Sequence, residues 1–319
     1  MMTYLTKHSQ GSIAVLLASV LWGTTGTAAS FAEGVSPLAI GAATTGGGGL
    51  LLCLFSFSLY RYYLPVLIEN KGLIALSTLC ITLYPLAFYS SMHFAGVAIG
   101  TIVSIGSAPI LTALIERILD NKPLGKCWIF ACGLGLSGIT LLTLSKGQLS
   151  THSESLLGIV LGLIAGATYA FYSWGARKLI GAEIPSRVVM GSLFGLASCL
   201  LLPLLFWYGA PLAESVTNLS VALYLAVFPM LGGYLLFGFA LARIPASYVT
   251  TLTLLEPVVA TLLSLFVLGE VLSLSGWSGL LLIMLSLVLL VLSSPDFQTG
   301  RHHSRLSSAR KGMPHFPAN

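Results

Sequence analysis

Apolar residues fill ten stretches of this 319-residue chain, at 11–31, 37–59, 72–92, 96–116, 125–145, 156–177, 187–207, 219–241, 246–268 and 274–293. Each is near the roughly 20 residues that a helix needs to cross a hydrocarbon core. None alternates apolar and polar positions as barrel strands do over runs of about ten residues. In lipid the backbone must close its hydrogen bonds within the segment, so the pattern predicts an all-α membrane protein with ten transmembrane helices. Pro37, Pro65, Pro123, Pro185, Pro211 and Pro245 punctuate the short links. The link at 146–155 is the seam between two halves, 11–145 and 156–293, and the polar, basic residues 295–319 predict a disordered cytoplasmic tail.

The halves echo one another. Gly11, Ala18, Trp22 and Gly23 stand 147 positions before Gly158, Ala165, Tyr169 and Ala170; Pro109 stands 148 before Pro257, and Trp128 stands 149 before Trp277. A unit of five crossings, used twice, enters the membrane the second time the other way up. Two inverted five-helix repeats are therefore expected, an architecture with which secondary transporters build two gates around one site.

Composition agrees with the bilayer assignment. Hydrophobic residues make up 56 % and charged residues 8 %, against about 25 % charged in soluble domains. The net charge of +5 is placed for a membrane, not for nucleic acid. With the N-terminus in the cytoplasm, 14 of the 15 Lys and Arg fall inside and only Lys146 falls outside, as the positive-inside rule requires. Both termini are thus expected on the cytoplasmic side of the inner membrane. The five cysteines, Cys53, Cys80, Cys127, Cys132 and Cys199, all lie in apolar stretches, without metal-type spacing, and read as packing residues. His302 and His303 belong to the solvated tail, and neither a metal nor a cofactor is expected. The first stretch resembles a signal peptide in composition, but its internal counterpart at 156–177 argues for a retained helix.

Glycines at spacing four (Gly158, Gly162, Gly166; Gly191, Gly195; Gly96, Gly100) predict close helix crossings. The run Gly46-Gly47-Gly48-Gly49 reads either as tight packing or as a soft point in the second stretch.

Glu256 is the sharpest chemical candidate, near the middle of the ninth stretch in Leu254-Leu255-Glu256-Pro257. A charge at that depth costs about 2.5–3.5 kcal/mol on insertion scales. It is either a proton or substrate-amine site, or a carboxyl that bonds into backbone freed by the proline and holds a kink. Pro109 and Pro257, at matched positions, read as hinges or as fixed bends. Trp22 and Tyr169 sit at mid-depth, with Tyr84, Tyr89, Tyr172, Trp174, Tyr234 and Tyr248 also inside the stretches. Buried hydroxyl and indole groups need partners, so these residues either line a substrate cavity or bond to neighbouring helices. The candidate cavity is Trp22, Thr25, Tyr84, Tyr169, Tyr172, Tyr234, Tyr248 and Glu256. Thr24, Thr25 and Thr27 also have a helix-tuning reading. His93 is expected at the outer interface, and Arg117, Asp120 and Lys122 in a solvated cytoplasmic cluster.

These residues resemble the EamA family of the drug/metabolite transporter superfamily over 11–293. The resemblance rests on Leu21-Trp22-Gly23, Ala108-Pro109, Glu256-Pro257 and Gly269-Glu270; Asp120-Asn121-Lys122 departs from it where a Gly-Glu-like pair is common. It implies ten helices in two inverted repeats, both termini cytoplasmic, and a central cavity from the first, third, fourth, sixth, eighth and ninth helices. It also implies movement of amino acids, other small metabolites or toxic compounds, often outward.

The function expected is a secondary carrier for a small-molecule substrate, an exporter with alternating access and possible proton coupling. A multidrug efflux carrier is the alternative, with a non-transporting receptor or assembly protein behind it. An enzyme is not expected: the chain has no His-Glu-x-x-His, no Gly-x-Ser-x-Gly and no phosphate-cradling loop. Substrate, direction, coupling ion and oligomeric state stay open at this level.

Overall fold

A computed structural model describes residues 7–95, 97–145, 155–267 and 272–292. The tail at 295–319, most of the 146–155 seam, and Gly96, Gly269 and Glu270 lie outside the described residues, as does the side chain of His93. Among the described residues every regular element is helical, as backbone self-sufficiency in lipid demands. Among the described residues nine helical spans, some of them interrupted, are long and apolar enough to cross a membrane: Lys7–Ala29, Leu38–Glu69, Lys71–Met92, Gly100–Leu119, Leu156–Gly181, Ser186–Tyr208, Val216–Leu241, Ala246–Val267 and Leu274–Leu292. The fifth apolar segment is a shorter helix, Lys126–Leu142. The ten segments are numbered below in chain order.

Among the differences from the sequence expectation, two concern the second and ninth segments. The second segment does not stop near residue 59. Its helix Gly48–Glu69 runs on through Pro65, which withholds one bond from the Arg61 carbonyl near a solvated end and so does not terminate it. The ninth segment is not one helix. It consists of Ala246–Leu252 and Leu255–Val267, broken just before Glu256-Pro257.

The packing scheme is simple. The third and fourth segments lie along the sixth, the second along the seventh, the fifth along the tenth, the first along the eighth and ninth, and the fourth touches the ninth. Glycines set the closest of these approaches. Gly138 and Gly279 face one another, so that a Cβ on either would stand 2.8 or 2.6 Å from the other's carbonyl oxygen. The Gly158, Gly162 and Gly166 stripe nests against Ala95, Ser91, Val103 and Ser107 of the third and fourth segments. Gly48 lies against Met230, and Gly49 against Phe194 and Ser198, so this part of the glycine run is packing surface. All these contacts trade side-chain volume for backbone proximity where lipid supplies no hydrophobic drive between helices.

One end of the bundle gathers Lys7, Lys71, Lys122, Lys178 and Arg243 at helix starts and ends. It is called the basic end here.

Candidate substrate cavity

The cavity forms where helices are interrupted. In the first segment, helix Lys7–Gly23 gives way to Thr25–Ala29. There the Thr24 amide bonds back to the Leu21 carbonyl at 3.3 Å, and the Thr24 hydroxyl donates to the same carbonyl at 2.6 Å. In the ninth, Pro257 offers no N–H to the Thr253 carbonyl, and tight turns replace the lost bond. Leu254 N donates to Thr251 O at 3.1 Å and Glu256 N to Thr253 O at 2.9 Å. Widened π-type turns occupy Ala42–Gly47 and Ala226–Gly232. The second of these contains Pro229, whose carbonyl accepts a 2.9 Å bond from Trp22 Nε1.

These interruptions surround a cavity of about 190 Å³. That is room for a small metabolite; a single water needs only roughly 10–15 Å³. Trp22, Thr25, Tyr84, Tyr169, Tyr172, Tyr234 and Glu256 all line it, bringing together seven of the eight residues singled out in the sequence. Tyr248 does not. It lies in the first turn of helix Ala246–Leu252, at the basic end, edge-on to His8 at 5.9 Å. Two helical turns separate it from Glu256, too far along the axis to share the site. Trp174 is also elsewhere, donating to Asp120 Oδ2 at 2.9 Å. The lining runs from mid-depth toward the end opposite the basic one, where Thr25, Ile40, Gly41, Phe88 and Tyr89 stand.

The walls are aromatic and mutually braced. Phe194 and Tyr234 centroids are 4.1 Å apart, Trp22 and Tyr234 5.0 Å, Tyr169 and Tyr172 5.2 Å, and Tyr84 and Tyr169 5.6 Å. Tyr169 donates to Thr253 Oγ1 at 3.3 Å, and the Tyr172 and Tyr234 hydroxyls meet at 3.3 Å. Glu256 is the one charged side chain among the described lining residues. Its carboxyl takes no hydrogen bond or ion pair from the described residues. Arg243 is engaged at the basic end, donating to the Phe239 carbonyl at 3.0 Å and to Gln10 at 3.4 Å. A half-buried carboxyl facing π-rich walls offers what an amine needs: one counter-charge and several ring faces.

Two segments absent from the expected lining contribute to it. Ile40, Gly41, Thr44 and Thr45 come from the second and Phe194 from the seventh. The threonines border the Gly46–Gly49 run, and nothing in the sequence singled them out. Nothing in the sequence marks Phe194 apart from other apolar positions. The matched prolines also diverge. Pro257 stands at a break, whereas helix Val97–Leu119 continues through Pro109. Ile105, whose carbonyl Pro109 leaves without its usual donor, lines the cavity. Asp120 and Lys122 are not merely solvated. Asp120 Oδ1 pairs with Lys178 Nζ at 2.9 Å, and Lys122 Nζ pairs with Glu116 Oε1 at 3.3 Å.

Similarity to known proteins covers both halves. The EamA-like transporter family model matches residues 9–144 and 156–292. The uncharacterized transporter YwfM of Bacillus subtilis is 33 % identical over 286 residues, 88 % of this chain and 93 % of that protein. The uncharacterized inner membrane transporter YicL of Salmonella typhimurium is 27 % identical over 89 % of this chain and 96 % of its own length. The threonine/homoserine exporter RhtA of Escherichia coli is 29 % identical over 58 % of this chain and 59 % of its own. A solved crystal structure superposes with a TM-score of 0.76 at 18 % identity, covering 91 % of this chain and 99 % of that one, a likeness of fold. With the two-part family match spanning nearly the whole sequence, this multi-pass membrane protein belongs to the EamA-like transporter family.

Proposed function

We propose that the protein is a secondary carrier that exports amino acids or related amine-bearing metabolites across the inner membrane by alternating access. The observation that carries this reading is the Glu256 carboxyl, exposed to an aromatic cavity at the break of the ninth segment, with no cation among the described lining residues. On this reading Glu256 receives either the cargo amine or a proton, and the exchange between them couples the two fluxes. Hinge motion at Pro257, with Pro109 bending its matched helix, carries the site from one face to the other. The basic end is cytoplasmic, by the positive-inside bias.

The packing supports an inverted ten-helix arrangement, with repeats at 11–145 and 156–293. Exchange the first segment with the sixth, the second with the seventh, and so on. The third–sixth contact then becomes eighth–first, and fourth–sixth becomes ninth–first; second–seventh, fifth–tenth and fourth–ninth map onto themselves. A pseudo-twofold relation requires this closure. The breaks do not follow it: the first and ninth segments are interrupted, while the sixth and fourth are continuous. One gate open and one shut calls for such asymmetry between equivalent helices. The likeness to the threonine/homoserine exporter RhtA favours amino acids as cargo. The aromatic walls favour amines with an apolar body, and with them the multidrug reading as second choice.

The test is transport by the purified protein in liposomes, with loaded amino acids, amines and organic cations and an imposed pH gradient. Export of one amine-bearing class, stimulated by protons on the trans side, is the expected result. Failure to move any member of the panel, with or without the gradient, would overturn the proposal.

A further inference from the structure

The fourth, sixth and ninth segments converge at the basic end on groups that the cavity does not use. Glu116, in the last turn of helix Val97–Leu119, is only 2 % exposed. Its Oε1 accepts the Ala246 amide at 3.1 Å; its Oε2 accepts the Ser247 amide at 3.2 Å and the Ser247 hydroxyl at 2.5 Å. Lys122 Nζ, at 3.3 Å, is its counter-ion. From the other side, Arg177 Nη1 of the sixth segment donates to the carbonyls of Leu241 and Ile244. The link between the eighth and ninth segments is therefore clasped twice, by a carboxylate on its amides and by a guanidinium on its carbonyls. Asp120, bonded to both Trp174 and Lys178, joins the two clasping helices to each other.

The repeat does not carry the charges of the clasp over to its counterparts. The repeat offset of 148 takes Glu116 to Ser264, and that of 147 takes Arg177 back to Ser30. Neither counterpart carries a charge. Positions related by the repeat offset thus carry the charged clasp residues at the basic end and serine in the sequence at their counterparts.

We infer that Glu116 and Arg177 form the latch of the gate at the basic end, and that releasing their bonds to the 241–247 link is the step that admits cargo from that side. The inference rests on the alternating-access reading above. When the latch releases, the cavity joins a second one at the basic end, lined by Asp120, Lys122, Trp174, Arg177, Lys178 and Leu241. The bonds suit the task. Hydrogen bonds to charged groups hold firmly when water is excluded, and water entering the opening gap replaces them.

The test reads conformation separately from transport. Spin labels at Asn121 and Ala242 of the full-length protein in liposomes report the separation across the closure. Glu116→Ala and Arg177→Ala are each expected to raise the long-distance population about tenfold or more, the equilibrium shift for losing charge-assisted hydrogen bonds. Each variant must keep a cooperative thermal transition to be read. Should either fail that criterion, Ser247→Ala, which removes only one bond, is read instead, with the same direction expected. An independent arm places cysteines at Glu116 and Ser247 in a background lacking the five native ones, joins them with a short bis-methanethiosulfonate that releases methanesulfinate as each disulfide forms and is cleaved by reductant, and carries the spin labels at 121 and 242 on ketone-bearing residues. The labelled distance should then collapse to a single short population and recover on cleavage. Unchanged distances in the folded variants, or a long-distance population that survives crosslinking, would overturn the latch. Absence of transport with distances that respond as expected would instead count against the proposed function alone.

Discussion

Gly23 sits so close to Val259 that a Cβ on the glycine would stand 2.6 Å from the valine Cβ and 2.9 Å from the Glu256 carbonyl oxygen. The break in the first segment thus rests directly on the break in the ninth, and the absence of one methyl group lets two interrupted helices cross. This contact positions Trp22 and Glu256 on the same cavity wall.

The first prediction follows from that contact. Gly23→Ala forces the two breaks apart and should cost about 1–3 kcal/mol, the usual range for overpacking. Thermal unfolding in detergent measures it. Val259→Gly, which removes both of the nearest crowding atoms, should restore part of the loss in the double variant. Purely additive effects would mean that the two sites do not press on each other.

Trp22 supplies the second. Its indole N–H bonds to the Pro229 carbonyl across 207 residues, joining the first segment to the π-type turn of the eighth. Trp22→Phe keeps a ring in the aromatic wall and removes the donor. A stability loss of about 1 kcal/mol is expected, together with weaker cargo binding. A melt and a binding isotherm both indistinguishable from the parent would reduce this bond to ornament.

How much of this could be read from the sequence depended on depth and charge. Trp22, Tyr84, Tyr169, Tyr172, Tyr234 and Glu256 stood out because polar atoms at mid-depth in an apolar run demand an explanation, and one cavity supplies it. Tyr248 obeyed the same rule but lies toward the basic end, where polarity is ordinary. Glu116 was overlooked for the converse reason. It adjoins the Arg117, Asp120 and Lys122 cluster in the sequence and was not singled out, and only the fold shows it buried against Ser247. The helix breaks were half legible: Pro257 marked one, but Gly23 and Thr24 carry no comparable signal, since glycine and threonine pass through many helices intact. The extension of the second helix to Glu69 was hidden by Pro65, which usually ends helices but here lies near a solvated terminus.

Asp120 yields a prediction about acid. Partial desolvation alone would raise its carboxyl pKa. The hydrogen bonds from Lys178 and Trp174, with the charges of Lys178 and Lys122, outweigh it and hold the group below its ordinary 3.8. A carboxyl with a depressed native pKa binds fewer protons folded than unfolded. Its contribution is complete above the ordinary value and fades as the pH drops through the native one. Asp120→Asn should therefore lower the melting temperature at neutral pH, with the gap to the parent closing below about pH 4. Melts across this range test it, and a gap undiminished in acid would show that the side chain works by shape alone. The same sign argument removes Asp120 as a source of pH dependence near neutrality, where it stays ionised.

Within the cavity, coupling to protons falls to Glu256, the one carboxyl among the described lining residues. Glu256→Gln preserves size and cannot change charge, so the cavity keeps its shape and loses its only fixed charge among the described lining residues. If the carboxylate meets the cargo amine, apparent affinity should fall about tenfold or more, the scale of a charge-assisted bond. If it carries the proton, uptake into inverted vesicles should lose its response to an imposed pH gradient while exchange of cargo for cargo persists. Proteoliposome flux and exchange, measured side by side, separate the two. A variant that transports and responds to pH like its parent would return the carboxyl to a structural role at the kink before Pro257. The aromatic cavity would then have to select its cargo without a counter-charge.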